Sequence, residues 1–82
     1  MLILNLELKK GETVVYLVDA NGVAYIDVAG ANSTSNVPAT LPTGIVAAFQ
    51  RVVRHDTKMK VVTSESILDD DGTNYAPIVD EP

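Results

Sequence analysis

The stretch Thr13-Val14-Val15-Tyr16-Leu17-Val18-Asp19-Ala20-Asn21-Gly22-Val23-Ala24-Tyr25-Ile26-Asp27-Val28 decides how this chain is expected to fold. Two runs rich in Val, Ile and Tyr, residues that suit a pleated and half-buried surface, flank Asn21-Gly22. Asn-Gly is a strong hairpin signal, because a type I′ turn needs positive φ at both central residues. A two-residue turn at that point sets Val18 opposite Tyr25, Leu17 opposite Ile26 and Val15 opposite Val28.

Upstream, Leu2, Leu4, Leu6 and Leu8 alternate with Ile3, Asn5 and Glu7, which is the period of a strand. Taking Lys10-Gly11 as another two-residue turn sets Leu6 opposite Val15 and Leu4 opposite Leu17. The two turns together gather Leu4, Leu6, Val15, Leu17, Ile26 and Val28 on one face. A slip of one residue in either hairpin would scatter them. This reading predicts a three-stranded meander.

Downstream, residues 30–41 form a long connector through Asn32-Ser33-Thr34-Ser35-Asn36, of the kind that partners often order. Over residues 44–55, Ile45, Val46, Phe49, Val52 and Val53 recur at helical spacing. Thr40 or Thr43 is placed to cap the start, and Arg51, Arg54 and His55 suit the negative end of a helix dipole. The spacing predicts a helix on the leucine face. Lys58-Met59-Lys60-Val61-Val62-Thr63 reads as an edge strand, where lysines discourage stray pairing. Beyond Ser64 come an acidic turn, Asp69-Asp70-Asp71-Gly72, and a short apolar island, Tyr75-Ala76-Pro77-Ile78-Val79. The expected fold class is α+β: a small antiparallel sheet in the order β-β-β-α-β, one helix packed on one face, a single domain over 1–64 and an extended acidic C-terminal arm over 65–82.

The 82 residues include no Cys, so disulfides and thiolate metal sites are impossible. A core of this size supplies about 3–5 kcal/mol of net stability, so the fold has little to spare. The formal charge of −5 disfavours binding along nucleic acid, where cations must replace counterions, and disfavours anionic membrane surfaces. The first residues lack a leading cation, and no run approaches the ~20 apolar residues of a membrane-spanning helix. The chain is therefore expected to be soluble and non-secreted, in the cytoplasm or in a virion.

Candidate chemistry is sparse. His55 is the single histidine, and adjacency in sequence does not let Asp56 orient it as a base. Asp69, Asp71 and Asp80 have the offsets of calcium-loop positions, but Asn74 stands where a glycine is needed and Pro77 intrudes. Asn32-Ser33-Thr34 matches a glycosylation acceptor and, without a signal segment, reads as loop chemistry. Arg51, Arg54, Lys58 and Lys60 form a basic cluster suited to gripping phosphate, to solubility or to pairing with the acidic tail. Eleven carboxylates raise DNA mimicry, although many of them fall in the irregular tail. No enzyme activity, metal or cofactor is expected.

The sheet face opposite the leucines is more informative. The same register places Ile3, Val14, Tyr16, Val18 and Tyr25 there, an apolar group on a face that would otherwise be polar. Such patches mark interaction sites, and Tyr is enriched among interface anchors. Tyr75, Ile78 and Val79 either join it as partner-binding residues or fold back to cover it.

Met1-Leu2-Ile3-Leu4 with Gly11-Glu12-Thr13, and Val23-Ala24-Tyr25-Ile26-Asp27-Val28 followed by Ala29, resemble parts of the carbon storage regulator family of RNA-binding dimers. The likeness covers under half the chain. An additional hairpin of that family is missing, and its basic first-strand positions fall on Leu6, Glu7 or their neighbours. The resemblance therefore implies a leucine-rich hairpin, and RNA binding is not carried over from the family. The expected function is a non-enzymatic protein–protein assembly role with itself or a larger assembly, such as a small phage virion component that decorates or cements a capsid. The alternative is a small acidic phage-encoded inhibitor of a host enzyme or defence complex.

Overall fold

The computed structural model describes residues 2–29 and 36–79. Seven strands form in chain order: β1 (Ile3–Leu8), β2 (Thr13–Asp19), β3 (Ala24–Asp27), β4 (Ile45–Val52), β5 (Thr57–Val62), β6 (Ile67–Leu68) and β7 (Asn74–Val79). The spatial order is β1-β5-β7-β3-β2-β4, every pairing is antiparallel, and β6 lies alongside the start of β7. The helical element among the described residues is a 3-10 turn at Thr63–Glu65. The α+β expectation is thus corrected to an all-antiparallel β fold.

Residues 44–55 carry the first correction. Ile45–Val52 within them form β4, paired with β2 from Thr13↔Val52 to Asp19↔Ile45, with a bulge near Val18 and Asp19. Four of the five residues read as a helical stripe (Ile45, Val46, Val52 and Val53) are β-branched, and such side chains lose rotamer freedom in a helix and pack well on a pleat. In the strand they separate. Ile45 enters one apolar cluster, Val53 enters the other, and Val46 and Val52 face solvent.

The meander is the second correction. β1 pairs with β5 through Ile3↔Val62 to Leu8↔Thr57, not with β2. Asp19 to Val23 forms a three-residue hairpin loop rather than the two-residue one. Gly22 N–H donates to the Asp19 carbonyl at 3.0 Å, Asp19 N–H donates to the Val23 carbonyl at 3.1 Å, and Gly22 takes φ +82°. This is a type I turn closed by a glycine in the left-handed region. The extra residue shifts the register to Tyr16↔Ile26 and Leu17↔Tyr25. Ile26 consequently shares a face with Val14 and Tyr16 instead of with Val15 and Leu17.

The third correction concerns the acidic arm. Its apolar island is β7, which pairs with β3 (Tyr25↔Pro77, Ile26↔Ala76, Asp27↔Tyr75) and with β5 (Lys60↔Val79, Val61↔Ile78). β6 continues the β5 side through Ile67↔Tyr75 and Leu68↔Asn74. Pro77 falls between the β5 and β6 pairings, so a residue without an N–H stands where that edge of β7 has no strand partner.

The sheet doubles over at β7. Leu6 and Leu8 of β1, Val61 of β5 and Ala76 of β7 share one buried cluster with Val14 of β2, Ile26 of β3 and Val53, although β1 and β2 are not paired. Two layers therefore face each other across this core. A smaller cluster of Val15, Leu17, Ile45 and Tyr75 buries the opposite face of β2 and β7. At the layer crossing, Gly11 N–H donates to the Val53 carbonyl and Val53 N–H to the Glu12 carbonyl, both at 2.8 Å. These bonds tie the β1–β2 connection to the β4–β5 connection.

Burying a large apolar side chain contributes about 1.5–3 kcal/mol, and a domain of this size has net stability of that same order. Removing residues 67–82 strips Tyr75, Ala76 and Ile78 from the clusters and breaks the strand order in two. The truncated chain is expected to show no cooperative thermal transition and a collapsed amide spectrum; a folded truncated chain would contradict this topology.

Candidate functional site

Among the described residues, a cleft opens at the layer crossing. Its geometry starts from the β2–β4 register, which sets Tyr16 beside Phe49 and Val14 beside Arg51. The Tyr16 and Phe49 rings stack with centroids 5.5 Å apart and planes 26° from parallel. The Arg51 guanidinium carbon lies 5.6 Å from the Phe49 centroid and 5.9 Å from that of Tyr16. Cation–π contacts of this kind contribute about 0.5–1 kcal/mol each at exposed sites, enough to hold one side-chain position. Burial raises the Tyr16 pKa and Arg51 opposes the rise.

Next to this stack opens a cleft of about 960 Å³. Leu8, Val14 and Met59 supply apolar lining, and Lys10, Arg51, Arg54 and His55 supply its cationic or titratable groups. The carboxylates closest in sequence are already committed to backbone amides. Glu12 Oε1 accepts from Lys9 N–H at 2.7 Å, and Asp56 Oδ1 accepts from Lys10 N–H at 2.9 Å. His55 Nδ1 lies 3.2 Å from Thr57 Oγ1, whose hydroxyl also lies 3.0 Å from the His55 carbonyl. The ring is therefore placed by a hydroxyl, while Asp56 serves the neighbouring loop.

The residues expected to form one binding patch are distributed over both faces. Val14 and Tyr75 are buried, with 0% and 1% of their surface exposed. Tyr16 and Ile78 pack against the larger cluster and Tyr25 against the smaller one. Val18 and Val79 are half-buried, while Ile3 is exposed on β1. Val14 and Tyr16 are the two of this set that line the cleft. The basic cluster also divides: Arg51 and Arg54 join the cleft with Lys10, whereas Lys58 pairs with Glu7 on the solvent side at 3.6 Å. Arg51 belongs to the basic cluster visible in the sequence, whereas a helical reading hides its partnership with Phe49; their spacing of two is the strand signal that places both on one face.

The acidic turn has a structural role. Asp69 Oδ1 accepts from Asp71 N–H and Thr73 N–H, both at 2.9 Å, and Gly72 N–H donates to the Asp69 carbonyl at 3.1 Å. Asp19 makes the same pair of bonds, to Asn21 N–H and Val23 N–H at 2.9 Å. The pattern Asp-x-Asn/Asp-Gly thus builds two matching hairpin turns. No group of three or more metal-ligating side chains occurs among the described residues, and Asp80 and Asn32-Ser33-Thr34 lie outside them. No helix among the described residues is long and apolar enough to cross a membrane.

No protein-family model, curated protein or solved structure matches the chain.

Two outcomes follow from the turns. Asp19→Ala or Asp69→Ala removes one acceptor from two amides and is expected to cost about 1–2 kcal/mol, read as a lower denaturation midpoint with unchanged slope. Asp69 also reaches the Tyr75 hydroxyl, which donates to Oδ2 at 3.4 Å. Burial first, then the charges of Asp69 and Asp27, push the Tyr75 pKa up to about 12 from 10.0. The native state therefore favours the neutral phenol. Its stabilising effect is complete below pH 10 and is lost as pH rises toward 12. Absorbance titration is expected to show one late tyrosinate that appears with unfolding and is absent from Tyr75→Phe.

Proposed function

We propose that the chain is a protein–protein assembly module that pairs with further copies of itself through the free edge of β1. The observation that carries this reading is where its exposed apolar residues stand. Of the ten large apolar residues exposed among those described, six lie on or beside the two terminal strands: Leu2, Ile3 and Leu4 at β1, and Val46, Phe49 and Val52 on β4. No strand lies beyond β1 or β4 among the described residues.

An unpaired edge offers a row of N–H and C=O groups to any extended segment, and folded proteins usually blunt it. β4 carries such protection in its bulge and in Arg51. On β1, Glu7 guards the far end, and Leu2-Ile3-Leu4-Asn5 carries no charge at all. Antiparallel pairing of two such segments is self-complementary, so one surface suffices for a two-fold dimer. A capsid-decorating or cementing component would use a contact of this kind to tie neighbouring copies together. The charge of −5 favours protein over nucleic acid as the partner.

Ile3 is 46% exposed, so a lysine there adds charge to the edge without emptying the core. Light scattering is expected to show an oligomer that dissociates on dilution, and Ile3→Lys is expected to be a monomer that melts as the diluted, dissociated wild-type chain does. A wild-type chain that stays monomeric at millimolar concentration, with β1 amides that exchange equally fast at every concentration, would sink the reading.

A further inference from the structure

We propose that the cleft at the layer crossing binds a small amphipathic anion: an apolar body laid on Tyr16, Val52 and Met59, and one oxyanion group held by Lys10, Arg51 and Arg54. This inference stands apart from pairing at the β1 edge, since it uses other residues on another part of the molecule.

Charge is the first argument. The chain has 6 Lys and Arg against 11 Asp and Glu, yet 3 of those 6 cations line this cleft together with the single His. None of Lys10, Arg51 and Arg54 forms a salt bridge among the described residues. The nearby carboxylates of Glu12 and Asp56 are oriented toward the backbone amides of Lys9 and Lys10. These acids serve loop geometry, and no ion pair among the described residues takes up the side-chain donors of Lys10, Arg51 and Arg54.

Shape and chemistry supply the second argument. Tyr16, Val52 and Met59 make an accessible apolar floor, and the positive groups stand beside it. A bare inorganic ion would leave the floor empty, and a neutral apolar molecule would leave the cations unused. A ligand with both parts satisfies the whole surface. Arg51 is already steered by its contacts with the two rings, so less conformational freedom is lost when its planar donors meet an oxyanion.

Range decides the size of the ligand. Charges more than about 8 Å apart are largely screened at physiological ionic strength, so an anion inside the cleft responds to the local balance of Lys10, Arg51 and Arg54 against Glu12 and Asp56 rather than to the net charge of the chain. A long polyanion would extend past them and meet the remaining carboxylates. This selects a compact ligand with its negative charge at one end.

The test uses the full chain and the fluorescent probe anilinonaphthalene sulfonate, an aromatic body with one sulfonate, beside its uncharged relative N-phenylnaphthylamine. Saturable binding at one site is expected for the sulfonate, at least tenfold tighter than for the uncharged probe and weaker with added salt. Losing one charge-assisted hydrogen bond is worth about tenfold or more in affinity, so Arg51→Gln and the double change Lys10→Gln with Arg54→Gln are each expected to lower binding by that factor. Lys58→Gln, on the solvent side of β5, is expected to bind as wild type. Melting curves accompany every variant; because Lys10 and Arg54 are exposed, the double change decides the matter should Arg51→Gln fail to fold. Octanoate that displaces the probe would show that an alkyl carboxylate serves, and octanoate without effect would restrict the ligand to aromatic anions. Equal affinity for the charged and uncharged probes, or unchanged binding in the folded double variant, would overturn the proposal.

Discussion

β7 must be hydrogen-bonded on both sides for any of this architecture to exist. β3 occupies one side and β5 the other, so the layer holding β1 and the layer holding β4 are continuous only through this strand. Its side chains are divided accordingly. Tyr75 fills the smaller cluster and Ala76 the larger, with 1% and 0% of their surface exposed. A central strand buried on both faces cannot be an independent appendage. It removes apolar area from water on two fronts at once, and for a chain with so little core that double burial outweighs any single turn or ion pair.

The cleft follows from the same folding-over. When β1 and β5 close on β2 and β3, the inner row of β4 retains Phe49 and Arg51 beside Tyr16 at the margin of the core. The β1–β2 and β4–β5 connections then meet, and Gly11, Glu12 and Val53 lock them together through backbone bonds. Gly11 sits at φ +91°, a conformation that side-chain-bearing residues rarely adopt, so the cation of Lys10 is delivered by a turn that needs its glycine. The site is thus assembled from three separate segments, each held by a constraint on the backbone rather than by a local charge pair.

Much of the strand content was legible from the sequence. β1, β2, β3 and β5 show alternation or β-branched runs, and the acidic turn was recognisable from Asp69 to Gly72. What alternation does not encode is which strands pair. Local turn chemistry suggested neighbours in sequence, whereas burial joins Leu6 to Met59 and Ile26 to Ala76 across much of the chain. One loop residue was enough to reverse the face of β3. The segment from Ile45 to Val53 was ambiguous because its apolar spacing fits a helix while its β-branched residues fit a strand, and pairing with β2 settles that conflict. At the site, Tyr16 could be singled out from composition. Arg51 and Arg54 stood out as part of a basic cluster, but Phe49 and Lys10 did not, since their proximity to that cluster is a product of tertiary pairing.

The late position of β7 governs the order of events on the way to the native state. Each strand it joins precedes it along the chain, and the β1–β5 ladder also spans most of the distance between those strands. Loop-closure entropy must be met before such remote pairings return any free energy, which places the chain among the slower class of small folders, on the millisecond-to-second scale. During synthesis, β1 to β4 emerge first and cannot complete either layer. Leu2, Ile3 and Leu4 are then an aggregation hazard in the nascent chain before they become an edge of the finished one.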